Sequence, residues 1–307
     1  AKGIGGPLYS DEGESIAGDD SGNVYTTGLF GGTVDFDPSP TKSYTIKHAG
    51  GASDAYISKL NTNGDFVWAR SFGSFGNNDK GVKVIVGPKG SVYVAGTFSE
   101  TVDFDPSSQK TFNLRAKGES DIFICKLGAA GNFLWAKQLG DTSGEYIGSI
   151  YVDALGSLYL TGGFSGTVDF DPDTTKSYFA TNSNQYADAF VAKWNDLGGL
   201  VWTKQIVGNK SENGFSIATD ILGNVYSVGT FNETTDFDPD PVKTYNLITK
   251  SAKTIYISKL DATGNFVWAK QLGSVYSGVK LSIVIDALSN IYTTGEFQAI
   301  GDFDPNP

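Results

Sequence analysis

The sequence predicts an all-β chain, a β-propeller of about five four-stranded repeats of 66–68 residues, the last blade incomplete. Three observations predict it. TVDFDP stands at Thr33–Pro38, Thr101–Pro106 and Thr167–Pro172, with near-copies TTDFDP at Thr234–Pro239 and IGDFDP at Ile300–Pro305. The first aspartates of these motifs are spaced 68, 66, 67 and 66 residues apart, and Trp68, Trp135, Trp202 and Trp268 follow at 67, 67 and 66. Between these markers lie runs of five to eight residues rich in Val, Ile, Tyr and Phe, with no sustained helical period.

The copy that begins at Val82 shows the elements in order. VKVIVG and VYVAGTF flank the turn PKGS and read as a hairpin. TVDFDP follows, then a polar connection into KTFNL. DIFICKL and NFLWAKQLG flank the turn GAAG and read as a second hairpin. Both turns recur, as DDSGN, GPKGS, DALGS, DILGN and DALSN, and as NTNGD, GAAGN, NDLGG and DATGN. Glycine at a fixed place suits a positive φ, as in a type I turn with a G1 bulge. Each repeat therefore holds at least four antiparallel strands, and the short KSY/KTY segments are expected to add a fifth. One such sheet cannot bury both faces alone, and repetition around an axis solves that.

The expected organisation is one domain over residues 1–307, with units at about 1–70, 71–137, 138–204, 205–270 and a partial 271–307. AKGIGG aligns with the end of the tryptophan strand: Ala1-Lys2 stands where Ala136-Lys137 stands. The final DFDPNP stops before a DAYISKL-like strand. An unpaired strand edge invites another chain. A longer array, a small last blade and a neighbour that donates the missing pairing all fit.

Composition narrows the function. The chain has 307 residues, 39% of them hydrophobic and 13% aromatic, enough for a sizeable core. The net charge of −11 disfavours nucleic acid and anionic lipid. One cysteine and one histidine exclude an internal disulfide, multi-cysteine zinc and most catalytic triads. No apolar run of about 18 residues exists, so membrane insertion is not expected. The absence of methionine points to a processed chain or part of a longer one, and a removed signal peptide fits.

GNVYTTGLFGGTVDFDP, SDIFICKL and GNFVWAKQLG resemble the SBBP-type β-propeller repeats of bacterial secreted and surface proteins, notably of the Bacteroidota type. The GNxYxxG and GNFxWAK elements carry the resemblance over essentially the whole chain. It implies an extracellular module and no chemistry.

The aspartates are the main candidate site. In VDFDP, alternation puts Val34 and Phe36 on one face and Asp35 and Asp37 on the other. Proline then ends the strand. Two carboxylates about 7 Å apart could clamp Ca²⁺ with loop carbonyls. The metal candidates are Asp35, Asp37, Asp103, Asp105, Asp169, Asp171, Asp236, Asp238, Asp302 and Asp304. The alternative is a structural corner, in which the carboxylates accept backbone N–H groups. Five equivalent copies argue against acid–base catalysis, because catalytic sites are unique. Cys125 aligns with Ser58, Ala192 and Ser258 and reads as packing. His48 reads as a surface residue. The four spaced tryptophans read as blade-to-blade packing, with a sugar-binding ring as the alternative. Asn209, Asn232 and Thr174 sit in glycosylation motifs.

The resulting expectation is a non-catalytic, secreted, cell-surface structural protein that self-associates, or adjoins further repeats, through its incomplete blade. The alternatives are a glycan- or protein-binding module of a larger secreted protein and a polysaccharide-active enzyme. No cofactor is expected beyond Ca²⁺.

Overall fold

The structure is a computed structural model that describes residues 5–6, 11–76, 78–173, 175–182, 186–249, 253–275 and 280–296. Among them are 26 strands, one 3₁₀ turn at Pro88–Gly90 and no α-helix. The first repeat supplies β1 (Glu12–Gly18), β2 (Val24–Phe30), β3 (Thr33–Asp35), β4 (Thr45–Lys47), β5 (Asp54–Leu60) and β6 (Phe66–Phe72). The second supplies β7 (Lys80–Val86), β8 (Val92–Phe98), β9 (Thr101–Asp103), β10 (Asn113–Arg115), β11 (Asp121–Leu127) and β12 (Phe133–Leu139). The third supplies β13 (Glu145–Val152), β14 (Leu158–Phe164), β15 (Thr167–Asp169), β16 (Phe179–Thr181), β17 (Asp188–Trp194) and β18 (Leu200–Gly208). The fourth supplies β19 (Asn213–Thr219), β20 (Val225–Phe231), β21 (Thr234–Asp236), β22 (Asn246–Ile248), β23 (Thr254–Leu260) and β24 (Phe266–Ser274). β25 (Leu281–Ile285) and β26 (Ile291–Gly295) open the fifth.

The long strands form antiparallel four-stranded blades in the orders β1-β2-β5-β6, β7-β8-β11-β12, β13-β14-β17-β18 and β19-β20-β23-β24. The two middle strands of a blade are buried at most positions, and β14 and β20 along their whole length. Both of their faces are covered, so continuous rather than alternating apolar sequence is what they need. The fourth strand alternates, as in FLWAKQL of β12, because one of its faces meets water.

The turn glycines take the conformation the sequence predicts. Gly64, Gly131, Gly198 and Gly264 have φ of 77°, 73°, 76° and 85°. The pairing of the third and fourth strands shifts by a residue beside each, at Lys59/Leu60, Lys126/Leu127, Lys193/Trp194 and Lys259/Leu260.

One expectation is corrected. The segments after the DFDP motifs add no fifth blade strand. β4, β10, β16 and β22 instead pair with β3, β9, β15 and β21 as small hairpins, of which β21–β22 joins the third blade's sheet through β18. The proline that ends each motif cannot donate to a ladder, so the chain turns away from the blade and folds back on itself.

The chain divides into two compact units. One comprises the residues up to Tyr146 with Ala154–Gly156, the other Ile147–Asp153 and the residues from Ser157 on. In the first, Ile57 and Phe72 of one blade share a core with Val94, Phe104 and Phe123 of the next. In the second, β18 pairs with β21, so the outer strand of one blade meets the hairpin of the next through Val207↔Asp236 and Gly208↔Thr235. A matching bridge joins Gly5 to Asp35. Gly5 thus holds the position of Val207, the place its alignment with the tryptophan strand assigns it. In the fifth repeat β26 pairs with β25, and among the described residues no third strand covers it. Tyr292 on β26 is 55% exposed, whereas its counterparts Tyr25, Tyr93 and Tyr159 are fully buried.

Candidate functional site

The repeated motif builds a corner. Val34 and Phe36 are buried and Asp35 and Asp37 lie on the opposite, half-exposed side, as alternation requires. Asp35 Oδ1 accepts the N–H of Asp37 at 3.0 Å and that of Tyr44 at 2.8 Å. Asp103 does the same for Asp105 and Phe112, Asp169 for Asp171 and Tyr178, and Asp236 for Asp238 and Tyr245, all at 2.7–3.1 Å. The second aspartate repeats the act one step on. Asp37, Asp105, Asp171 and Asp238 accept the N–H groups of Ser39, Ser107, Asp173 and Asp240. These are Asx turns in series, and they hold the loop that carries the hairpin. Asp302 and Asp304 lie outside the described residues.

The phenylalanine between the aspartates is a plug. Phe36 meets Phe30 at 5.4 Å and Tyr56 at 5.2 Å between ring centroids. Phe104 meets Phe98 and Phe123, Phe170 meets Phe164 and Phe190, and Phe237 meets Phe231 and Tyr256, at 5.0–5.5 Å. Each trio is largely edge-to-face or tilted, the arrangement the ring quadrupoles favour. The polar and apolar halves of DFDP therefore do one job together. The aspartates shape the loop and the phenylalanine pins it to the blade.

Blades of one unit join through tryptophan and through acid. Trp68 Nε1 donates to Ala129 O at 3.2 Å, and Trp202 Nε1 to Ala262 O at 3.3 Å, in each case on the next blade's turn. These two indoles are packing groups at a joint. The acids escaped the sequence reading, although their period was visible. Asp79 accepts the N–H of Ser74 at 2.7 Å from the preceding blade and that of Ser99 at 2.7 Å from its own. Glu212 accepts Thr235 Oγ1 at 2.9 Å, and Gly208 leaves it room: a Cβ there would lie 2.2 Å from its Oε1. Asp11 and Glu145 hold the equivalent positions. A second acid stands near, at Asp54, Asp121 and Asp188.

Burial raises these carboxyl groups, and the neighbouring acid adds to it. Asp54 is pushed up to about 6 by burial, with the charge of Asp79 adding to it. Burial and Asp141 push Glu145 up to about 9. Burial and Asp188 push Glu212 up to about 8, and burial raises Asp188 to about 6. Asp54 Oδ1, Asp188 Oδ1 and Glu212 Oε2 are buried without a donor. Between Glu212 and Asp188 a carboxyl hydrogen bond raises the first and lowers the second, as a proton held between them does.

A groove of about 580 Å³ runs along β18 in the second unit, between the β15–β16 hairpin and the loop after β21. Smaller hollows of about 220 and 370 Å³ lie beside the DFDP loops of the fourth and second repeats.

The remaining candidates fall as follows. Cys125 is fully buried in β11, and burial pushes its thiol far up, which leaves it a packing residue. His48 is half-buried, its N–H bonded to Gly32 O. Asn209 is exposed in a bend, while the Oδ1 of half-buried Asn232 is buried. Thr174 lies outside the described residues. Among the described residues no three His, Cys, Asp or Glu side chains gather as a metal ion requires.

The blades, their hairpins and their repeated joints define a β-propeller repeat protein. The sequence model of the SBBP family, a beta-propeller repeat, matches residues 4–29 and 201–238. An uncharacterized WD repeat-containing protein of Acanthamoeba polyphaga mimivirus is 23% identical over 271 residues, 81% of this chain and 19% of that protein. The regulatory protein FlaEY of Caulobacter vibrioides is 29% identical over 149 residues, 48% of this chain and 15% of that protein. The chain thus spans less than a fifth of the curated relatives it matches. Among solved structures, a protein of unknown function from Bacteroides caccae aligns with a TM-score of 0.33 at 10% identity, covering 85% of this chain and 81% of that one. Sqt1 from Chaetomium thermophilum aligns with a TM-score of 0.32 at 9% identity, covering 94% and 95%.

Proposed function

We propose that the chain is a non-catalytic structural module of an extracellular surface protein, built to join like blades into larger assemblies. One observation carries this reading: the repeated polar and aromatic residues are spent on holding hairpins and joints. The corner aspartates bind their own loop, and Trp68, Trp202, Asp79 and Glu212 hold one blade to the next. Two features support assembly. Gly5 bridges Asp35 in the register of a preceding blade's outer strand, and among the described residues the outer edge of β26 has no strand partner and carries an exposed tyrosine. The proposed occupant of that edge is the β26 edge of a second copy, which would extend two strands to four.

The test is the native mass in solution, by light scattering after size exclusion. A mass above the 32.6 kDa of one chain is expected. A lysine on the exposed edge, Thr294→Lys, should return the chain to a monomer. A wild-type monomer at about 100 µM would overturn the assembly reading.

A further inference from the structure

The groove along β18 lies where the repeat breaks its own rules. In three repeats the aromatic residue before the short returning strand stacks on the first residue of the fourth strand. Tyr44 meets Phe66 at 4.6 Å, Phe112 meets Phe133 at 4.9 Å and Tyr245 meets Phe266 at 4.8 Å. In the third repeat Leu200 stands at that place, opposite Tyr178. The residue after the aromatic is polar in the other repeats, Thr45, Asn113 and Asn246, but is Phe179 here. Phe179 is 63% exposed and, with Tyr178, lines the groove. Residues repeated in every copy serve the repeat. A pair of exposed aromatic side chains found in one copy alone, lining a groove of about 580 Å³, needs another explanation.

We propose that this groove binds a neutral oligosaccharide. Its aromatic side offers flat apolar surface for the C–H face of a sugar ring. Its other wall alternates donors and acceptors, Lys204 and Lys243 with Asp238 and Asp240, which suits a ligand that carries a hydroxyl on nearly every carbon. The charges nearly compensate, three aspartates (Asp236, Asp238 and Asp240) against two lysines (Lys204 and Lys243), with Lys243 3.5 Å from Asp240, so a charged ligand gains little there. The wall is also rigid. Asp236 holds the N–H of Asp238, Asp238 that of Asp240, and Asp240 that of Val242, each at 3.0 Å, while Pro239 and Pro241 fix the intervening φ angles. A loop already ordered loses little entropy when a ligand docks. The volume of about 580 Å³ takes two to three sugar rings.

Calorimetric titration of the whole chain tests this, with the hexaoses of cellulose, laminarin, chitin, mannan and starch as probes, and tetralysine and tetraglutamate as charged controls. At least one hexaose should bind with a Kd of about 0.1–1 mM. Phe179→Asn gives the third repeat the residue the second and fourth carry, so the fold should tolerate it. It should weaken binding roughly tenfold or more with the melting temperature unchanged. Phe112→Ala, the counterpart of Tyr178 in the second repeat and away from the groove, should leave affinity as it was. No heat from any hexaose at about 10 mM would overturn the proposal. So would unchanged affinity in Phe179→Asn, or tighter binding of either charged peptide than of every sugar. None of these outcomes depends on whether the chain self-associates.

Discussion

Replacing Asp103 separates a carboxylate that shapes a loop from one that holds a cation. Its Oδ1 accepts two N–H groups, from Asp105 at 3.0 Å and Phe112 at 2.7 Å. Bonds to a charged acceptor contribute about 1.5–3 kcal/mol each when shielded. This corner is half-exposed, so water recovers much of that loss, and Asp103→Ala should cost about 2 kcal/mol in all. Asp103→Asn keeps an oxygen in the same place and should cost about 1 kcal/mol or less. In a unit of this size the alanine variant should melt roughly 4–8 °C lower. The assay is thermal unfolding in chelator and in millimolar CaCl₂, with hydrogen exchange read at the Phe112 amide. That amide should exchange roughly tenfold faster or more in Asp103→Ala and near the wild-type rate in Asp103→Asn. The corner reasoning fails if asparagine is as damaging as alanine and Ca²⁺ raises the melting temperature of the wild type alone. Those two results together would assign the carboxylates to a cation.

Three further outcomes follow from the same structure. Phe104→Ala should cost about 3–5 kcal/mol, because its ring is fully buried against Phe98 and Phe123, while Phe75→Ala, 87% exposed, should cost under about 0.5 kcal/mol; chemical denaturation compares them. Stability should fall as pH rises from about 5 to 9. Asp54 and Asp188 (about 6), Glu212 (about 8) and Glu145 (about 9) have folded values above their unfolded ones, so their contribution is full below the unfolded values and is lost as each group ionises. Glu212→Gln should remove the step near 8, and a melting temperature that climbs over that range would refute the assignment. Ser289→Gly should stabilise by about 1 kcal/mol in thermal melts, since Ser289 takes φ 64° where the earlier copies of its turn place glycine.

Period and alternation made the blade legible. Aspartates and tryptophans at 66–68 residues gave the repeat, and alternation in VDFDP placed Phe36 inward and Asp35 outward. The little hairpins read as a fifth strand because KSYTIK alternates polar and apolar residues equally well in either role. Only the proline before it, read as a stop, argued for a separate element. The joint acids were missed for a different reason. A lone Asp79 or Glu145 in a polar connection looks like solvated surface, and nothing local says that the preceding blade helps to bury it. The signal was there in the spacing of Asp11, Asp79, Glu145 and Glu212, which keeps step with the motif aspartates. The groove was hidden for the opposite reason, since Phe179 and Leu200 matter by departing from the period.

The joint acids also show why two like charges are buried together. The residue that donates its N–H to the carbonyl before the third strand is Asp79 toward Ser53, Glu212 toward Ala187 and Val275 toward Lys253, at 2.9–3.0 Å. Where that donor is acidic, the third strand begins with an acid, Asp54 or Asp188. Where it is Val275, the strand begins with Thr254, and both residues are buried. The two acids are present together or absent together. Had each been kept for its own bonds to the backbone, they would be lost independently. A pair that shares one proton cannot lose one member cheaply, because the survivor is left either ionised in a dry joint or with a proton and no acceptor. Changing Glu212 alone to valine should therefore cost more than changing Asp188 to threonine and Glu212 to valine together. A double-mutant cycle measures the difference, and simple additivity would show that the pair is not a unit.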